Sequence, residues 1–176
     1  MIQKFNIEDY CTHIENEEDV QYLRSKLIPV NIRLMKSSSM YRDIILQQCD
    51  YIKFLSLTKM HGYKKPHGFS SANAGLSFNI IGVVVNRNKS NEYCKIMINP
   101  KIILKSKDKI EVESNCGSVI LGAPIKIKRH SRILVSWIDE ELNYHCDKFV
   151  RSTGGFTIQH EIDHNNGILI TDYDRH

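Results

Sequence analysis

The run Gln159-His160-Glu161-Ile162-Asp163-His164 decides how this 176-residue chain is read. Residues four apart lie on one face of an α-helix, so His160 and His164 are placed to aim at a single ion, with Glu161 in reach of a water beside it. The bland alternative is a pair of solvated histidines on an exposed helix face, because short strings of this form also arise by chance. A catalytic site of this type takes three protein ligands and leaves one position open. The third ligand must come from the remaining cysteines, histidines or carboxylates. Cys116 is the best placed by context: Ser114-Asn115-Cys116-Gly117-Ser118 is a loop between strand-like segments that could fold back over the helix. Against it stands the usual fate of a lone cysteine, which is burial in a core.

Working outward, the composition is that of an ordinary globular protein. A hydrophobic fraction of 41% and a charged fraction of 25% argue against disorder and against fibrous classes. The length suits one domain over residues 1–176, with residues 1–25 an extension to which the sequence assigns no role. No window of 18 consecutive apolar residues occurs, so no membrane partner is expected. The amino terminus has no apolar h-region, and Glu15-Asn16-Glu17-Glu18-Asp19 is unlike a transit peptide, so the expected location is cytoplasmic. A net charge of +4 suits a polyanion such as ribosomal RNA, but the lysines are scattered without interleaved aromatics. That pattern favours a mixed, solvated surface and no DNA partner. Cys11, Cys49, Cys94, Cys116 and Cys146 are odd in number and contain no CxxC pair, so no disulfide framework is expected and most should be buried.

The clearest helix runs from Met40 to Met60, where Ile44, Ile45, Cys49, Ile52, Leu55 and Leu57 recur at helical intervals. An earlier helix is expected near Val20–Leu27, with a break at Ile28-Pro29-Val30. His61-Gly62 ends the long helix, and His67 in the following loop reads as a solvated side chain rather than a ligand. Ile80–Val85 is β-branched and nearly continuous, a buried strand, and Cys94–Ile98 alternates up to a break at Asn99-Pro100. Lys101–Leu104 and Lys109–Glu113 flank a polar turn and predict a hairpin; Ile125–Lys128 and Arg132–Ile138 are further strands. Asp139-Glu140-Glu141 starts a turn. A last helix is expected from Asp147 to His164 with Gly167 past its end, where a left-handed residue is favoured. Gly154-Gly155 inside that helix costs about 1 kcal/mol each relative to alanine, which suggests a close approach by another segment or a ligand.

Three stretches together resemble the peptide deformylase family, metalloenzymes that remove the formyl group from the start methionine of new polypeptides. Gln159–His164 with Asn166-Gly167-Ile168-Leu169 is very close to the family's QHExDHLxGxL pattern. Asn115-Cys116-Gly117-Ser118 resembles its EGCLS segment, and Gly75-Leu76-Ser77 is similar to the start of its GLxAxQ segment. Ile98-Asn99-Pro100 matches a supporting INP, and Arg129 falls where the family keeps an arginine paired with the aspartate of HExDH, here Asp163. The chain departs from the pattern in two places. Ser114, Asn115 and Gly117 replace the glutamate, glycine and leucine of EGCLS, and the glutamine of the first motif is replaced by Ile80 on a gapless reading or by Asn79 after a one-residue shift.

The resemblance implies an α+β fold, antiparallel sheets around a central carboxyl-terminal helix carrying HExxH, and a monomer. It implies one divalent ion on Cys116, His160 and His164, with Fe2+ favoured for activity and Zn2+ or Ni2+ as other occupants. Glu161 would be the general base and acid, Gly117 a backbone oxyanion donor, and Asn79 a substitute for the missing amide. Gly75, Leu76, Phe156 and Thr157 would contact substrate, with Phe156 equally readable as plain core. The substrate implied is an N-formylated nascent peptide, the surrounding partner the ribosome. The altered motifs also admit a second reading, a metal-binding relative with weak or lost activity that binds peptides or a partner.

Overall fold

The computed structural model describes residues 17–59, 65–118 and 124–175. Expectations about residues 1–16, Cys11 included, and about the His61-Gly62 helix end lie outside the described residues. The chain begins with α1 (Glu17–Leu23), α2 (Ile32–Ser37) and α3 (Ser39–Leu57). Helix α3 starts where the Ser38 hydroxyl accepts from Tyr41 N–H at 3.3 Å, and closes where Thr58 Oγ1 donates to the Phe54 carbonyl at 2.6 Å. Its stripe Ile45, Cys49, Ile52 and Leu55 is fully buried, whereas Ile44 is 43% exposed and stands outside it.

Among the described residues seven strands follow: β1 (Gly68–Ser70), β2 (Ile80–Val85), β3 (Tyr93–Lys105), β4 (Lys109–Ser114), β5 (Ile125–His130), β6 (Arg132–Ile138) and β7 (Tyr144–Val150). Five form an antiparallel sheet in the order β1-β2-β3-β6-β7, while β4 and β5 form a separate two-stranded ribbon. Strand β2 is apolar throughout because both its faces are covered. Ile80 packs with α3 and the β3 residues Cys94, Ile96 and Ile98. Ile81 and Val83 pack on the other face with Met97, Val135, Trp137 and Phe149, and with Ile158 and Ile162 of the last helix, α4 (Gly155–Asn165). The sheet therefore lies between α3 and α4, and α4 in turn contacts β5 of the ribbon. This is the expected α+β arrangement around a carboxyl-terminal helix.

Three sequence expectations are corrected. The hairpin of Lys101–Leu104 with Lys109–Glu113 does not form: β3 pairs with β6, as in Lys101↔Ser136, and β4 pairs with β5, as in Val112↔Ile127. A polar turn signals that the chain reverses, but the partner is chosen by which apolar faces meet, here Val112 and Ile127 against Ile170. Asn99-Pro100 does not end a strand either. Strand β3 passes through it with a register shift, Asn99 has φ +52, and its carboxamide bonds both backbone groups of Val30 at 2.8 Å. The third correction concerns the last helix, whose expected first four residues, Asp147–Val150, belong to strand β7, paired along its whole length with β6.

Between β7 and α4 lie a 3₁₀ turn at Arg151–Thr153 and Gly154 with φ +85, so the two glycines mark the entry to a short helix rather than the interior of a long one. The close approach they suggested is present. A Cβ on Gly155 would sit 2.9 Å from the Val150 carbonyl oxygen. Cys49 and Cys94 are buried, Cys116 is intermediate and Cys146 is exposed. Among the described residues no helix is long and apolar enough to cross a membrane.

Candidate metal centre

Helix α4 is held on three sides before any ligand is considered. Its Ile158 and Ile162 enter the sheet core. On a neighbouring face Gln159 pairs with the backbone of His130 as a strand would, accepting from its N–H at 3.1 Å and donating to its carbonyl at 2.9 Å. At the carboxyl end, Asn165 donates to Asn79 Oδ1 at 2.9 Å and to the Ile80 carbonyl at 3.0 Å, and accepts from Ala72 N–H at 3.4 Å. Asp163 forms an ion pair with the buried Arg129, and Tyr173 donates to the same carboxylate at 2.8 Å. Burial and the Asp163 carboxylate push the Tyr173 phenol up to about 12, so its proton stays in that bond.

With the helix fixed, its period brings two imidazoles together: His160 Nε2 and His164 Nε2 are 3.1 Å apart. Cys116, in the loop after β4, places Sγ 3.2 Å from His164 Nε2, and the three ligand atoms all lie within 4.8 Å of one another. Burial lowers both imidazoles, His164 to about 4 and His160 well below its ordinary value; the Arg129 charge adds to both, and the neighbouring His164 adds to the effect on His160. Both rings are therefore neutral at pH 7 with lone pairs available. Atoms bound to one tetrahedral ion at usual Zn–N and Zn–S lengths lie about 3.3–3.6 Å apart, close to the spacing found. The donor set and its convergence fit a divalent cation.

Glu161 is 5% exposed and sits one residue from His160. Burial raises its carboxyl to about 8, with Arg129 opposing and Asp163 adding. A cation beside it would pull that value back down. Facing it is Gly68 of β1: a Cβ there would stand 2.6 Å from Thr157 Cγ2, 2.9 Å from the Gly82 carbonyl oxygen and 3.1 Å from Glu161 Cγ. Only a glycine lets β1 lie this close to the helix. Phe156 and Thr157, half-buried, lie one turn before the ligands on α4.

The family model of the polypeptide deformylases matches residues 24–176. The chain belongs to that family. A peptide deformylase of Halalkalibacterium halodurans is 33% identical over 110 residues, which is 61% of this chain and 59% of that protein. The peptide deformylase of Shouchella clausii is 28% identical over 160 residues, 87% of this chain and 83% of that one. Among solved structures, a probable peptide deformylase from Synechococcus phage S-SSM7 superposes with a TM-score of 0.69 at 25% identity, covering 93% of this chain and 97% of the phage protein.

Within the deformylase fold, the structure relocates the first motif. Gly75 is exposed with φ +67, a turn glycine, and Leu76 packs into the α3-side core while its carbonyl accepts from Tyr22 Oη at 2.8 Å. Ile80 is fully buried in that same core. Asn79 is held by Asn165 and by backbone bonds to Ile28 and Asn99. The glycine that meets Glu161 is Gly68. Reading GLxAxQ from there gives Gly68-Phe69-Ser70-Ser71-Ala72-Asn73, with Asn73 in the glutamine's position. Asn73 is buried and donates to Ser118, the neighbour of Gly117. Sequence reasoning missed it because Gly75-Leu76 matches two letters where Gly68-Phe69 matches one. The signal available was that an amide falls at the sixth place only on the earlier reading.

Proposed function

We propose that this chain is a metal-dependent deformylase that removes the formyl group from N-formylmethionyl peptides and releases formate. The observation that supports it most is the convergence of Cys116, His160 and His164 beside a buried glutamate, within a family whose members carry that name. Cys116 as thiolate and the two neutral imidazoles would hold one divalent ion, Fe2+ for activity with Zn2+ or Ni2+ as other occupants. Such an ion supplies a Lewis acid for the formyl carbonyl and lowers the pKa of a water from 15.7 toward about 7.

Glu161 takes the proton of the attacking water and delivers it to the amine nitrogen as the C–N bond breaks, leaving formate and a free amino terminus. The Gly117 N–H donates to the carbonyl oxygen as charge collects there. Gly68, Phe156 and Thr157 line the approach on either side of Glu161 and contact the formylmethionyl end. The protein acts as a cytoplasmic monomer on nascent peptides at the ribosome.

The test is formate release from formyl-Met-Ala-Ser by the metal-loaded protein. Turnover should exceed that of Glu161→Ala by at least about 100-fold. Release at the level of that variant would reject the reading in favour of a metal-binding relative without the activity.

A further inference from the structure

A buried hydrogen-bond chain joins β1 to the loop that carries Cys116 and Gly117. Ser70 Oγ donates to Asn73 Oδ1, and Asn73 Nδ2 donates to Ser118 Oγ. The Asn73 N–H closes a small ring by donating to Ser70 Oγ at 3.3 Å. All three side chains are inaccessible, with exposures of 0% for Ser70, 8% for Asn73 and 4% for Ser118. The carboxamide is thus gripped at both ends by hydroxyls. Its amino group points at Ser118 rather than into open space.

The geometry has a direction. Strand β1 and the turn after it are already located against the histidine helix, the strand through the close packing of Gly68 on Thr157 and Glu161 and the turn through the bond from Ala72 N–H to Asn165 Oδ1. Residues 115–118 have no regular secondary structure of their own. Asn73 therefore carries the position of α4 across β1 to the second residue after Cys116. Its short side chain reaches Ser118 because Ser70 and Asn73 are three apart in a turn that starts at the end of β1.

We propose that Asn73 is a positioning residue for the sulfur ligand: through Ser118 it fixes the Cys116–Gly117 backbone against the two histidines. This rests on the metal-centre reading above. It differs from a direct role on the reacting carbonyl, because the amide acts through Ser118, and Ser118→Ala should reproduce the effect of Asn73→Ala.

The test uses the full chain loaded with Co2+, whose near-ultraviolet thiolate charge-transfer band and visible bands report the sulfur ligand. Asn73→Ala and Ser118→Ala should each weaken Co2+ binding by about 10- to 100-fold and shift the visible bands, the cost usual for removing a group that orients a metal ligand. The double variant should be no weaker than the weaker single, since both cut one link. Ser118→Thr, which keeps the hydroxyl, should restore binding. Melting of the metal-free forms checks folding, and if Asn73→Ala does not fold, Ser118→Ala decides alone. Folded variants that bind Co2+ as the wild type does, with the same spectrum, would overturn the proposal, as would additive losses in the double variant. A wild type without the charge-transfer band would overturn the metal-centre reading itself and this proposal with it.

Discussion

Helix α4 and the segment from Gly68 to Asn79 meet at the same cluster, but different physics brings each of them there. In α4 the helical period alone puts His160 and His164 on one face, and any sequence that forms this helix carries the pair with it. The Gly68–Asn79 segment is a three-residue strand followed by turns. Its placement is set by distant groups: Thr157 and Glu161 against Gly68, Ser118 on Asn73, and Asn165 on Ala72 and Asn79. A regular element reports its own geometry, whereas an irregular one reports only the contacts that hold it.

The helix half of this contrast makes the strongest prediction. Glu161→Ala should lower formate release by about 10²- to 10⁴-fold while the protein keeps its metal, because the glutamate moves a proton and is no ligand. His164→Ala should instead lose the metal, read by elemental analysis against wild type. If Glu161→Ala also lost the ion, the division between ligand and base on α4 would be wrong.

Next in size, the two amides of the irregular segment can be set against each other. Asn73→Ala should lower kcat by about 10- to 100-fold, the range expected when a group that orients a metal ligand is removed. Asn79→Ala should leave kcat within about threefold and lower the melting temperature, since its loss strips Asn165 of one partner worth about 1 kcal/mol. The reverse pattern would return the missing-glutamine role to Asn79.

The two glycines offer a sharper structural comparison. Gly68→Ala places a Cβ 2.6 Å from Thr157 and 2.9 Å from the Gly82 backbone, and should destabilise by about 1–3 kcal/mol with loss of activity. Gly75→Ala carries the left-handed penalty of about 1–2 kcal/mol, at an exposed turn, and should retain turnover once folded. The smallest effect is expected at Gly117. A Cβ there meets nothing within 4 Å, so Gly117→Ala should change stability by no more than about 0.5 kcal/mol in chemical denaturation.

Much of this was legible in the residues. The stripe of α3, the continuous apolar run of β2, the spacing of His160, Glu161 and His164, and the left-handed Gly167 after α4 all follow from local periodicity and turn chemistry. Cys116 became readable as the third ligand only through family resemblance, and the structure brings its sulfur to the histidines. The start of α4 was misplaced because Tyr144–Val150 lacks clean alternation. It becomes a strand by pairing with β6, which packs Phe149 beside Trp137 at a ring separation of 5.7 Å. The roles of Gln159 and Asn165 could not be inferred, since a glutamine that imitates a strand partner is recognisable only once His130 is seen beside it.

By itself the amino-acid sequence determined that α3 is helical and β2 extended, that both are largely apolar toward a core, and that a pair of imidazoles shares one helix face with a carboxylate next to them. Only the tertiary structure decided that β4 pairs with β5, that Gly68 rather than Gly75 meets Glu161, and that Asn73 is the amide joined to the cysteine loop. The reason is range. Period and turn preference act over a few residues along the chain, whereas the 45 residues separating Asn73 from Ser118 are closed only when packed cores bring both to one place.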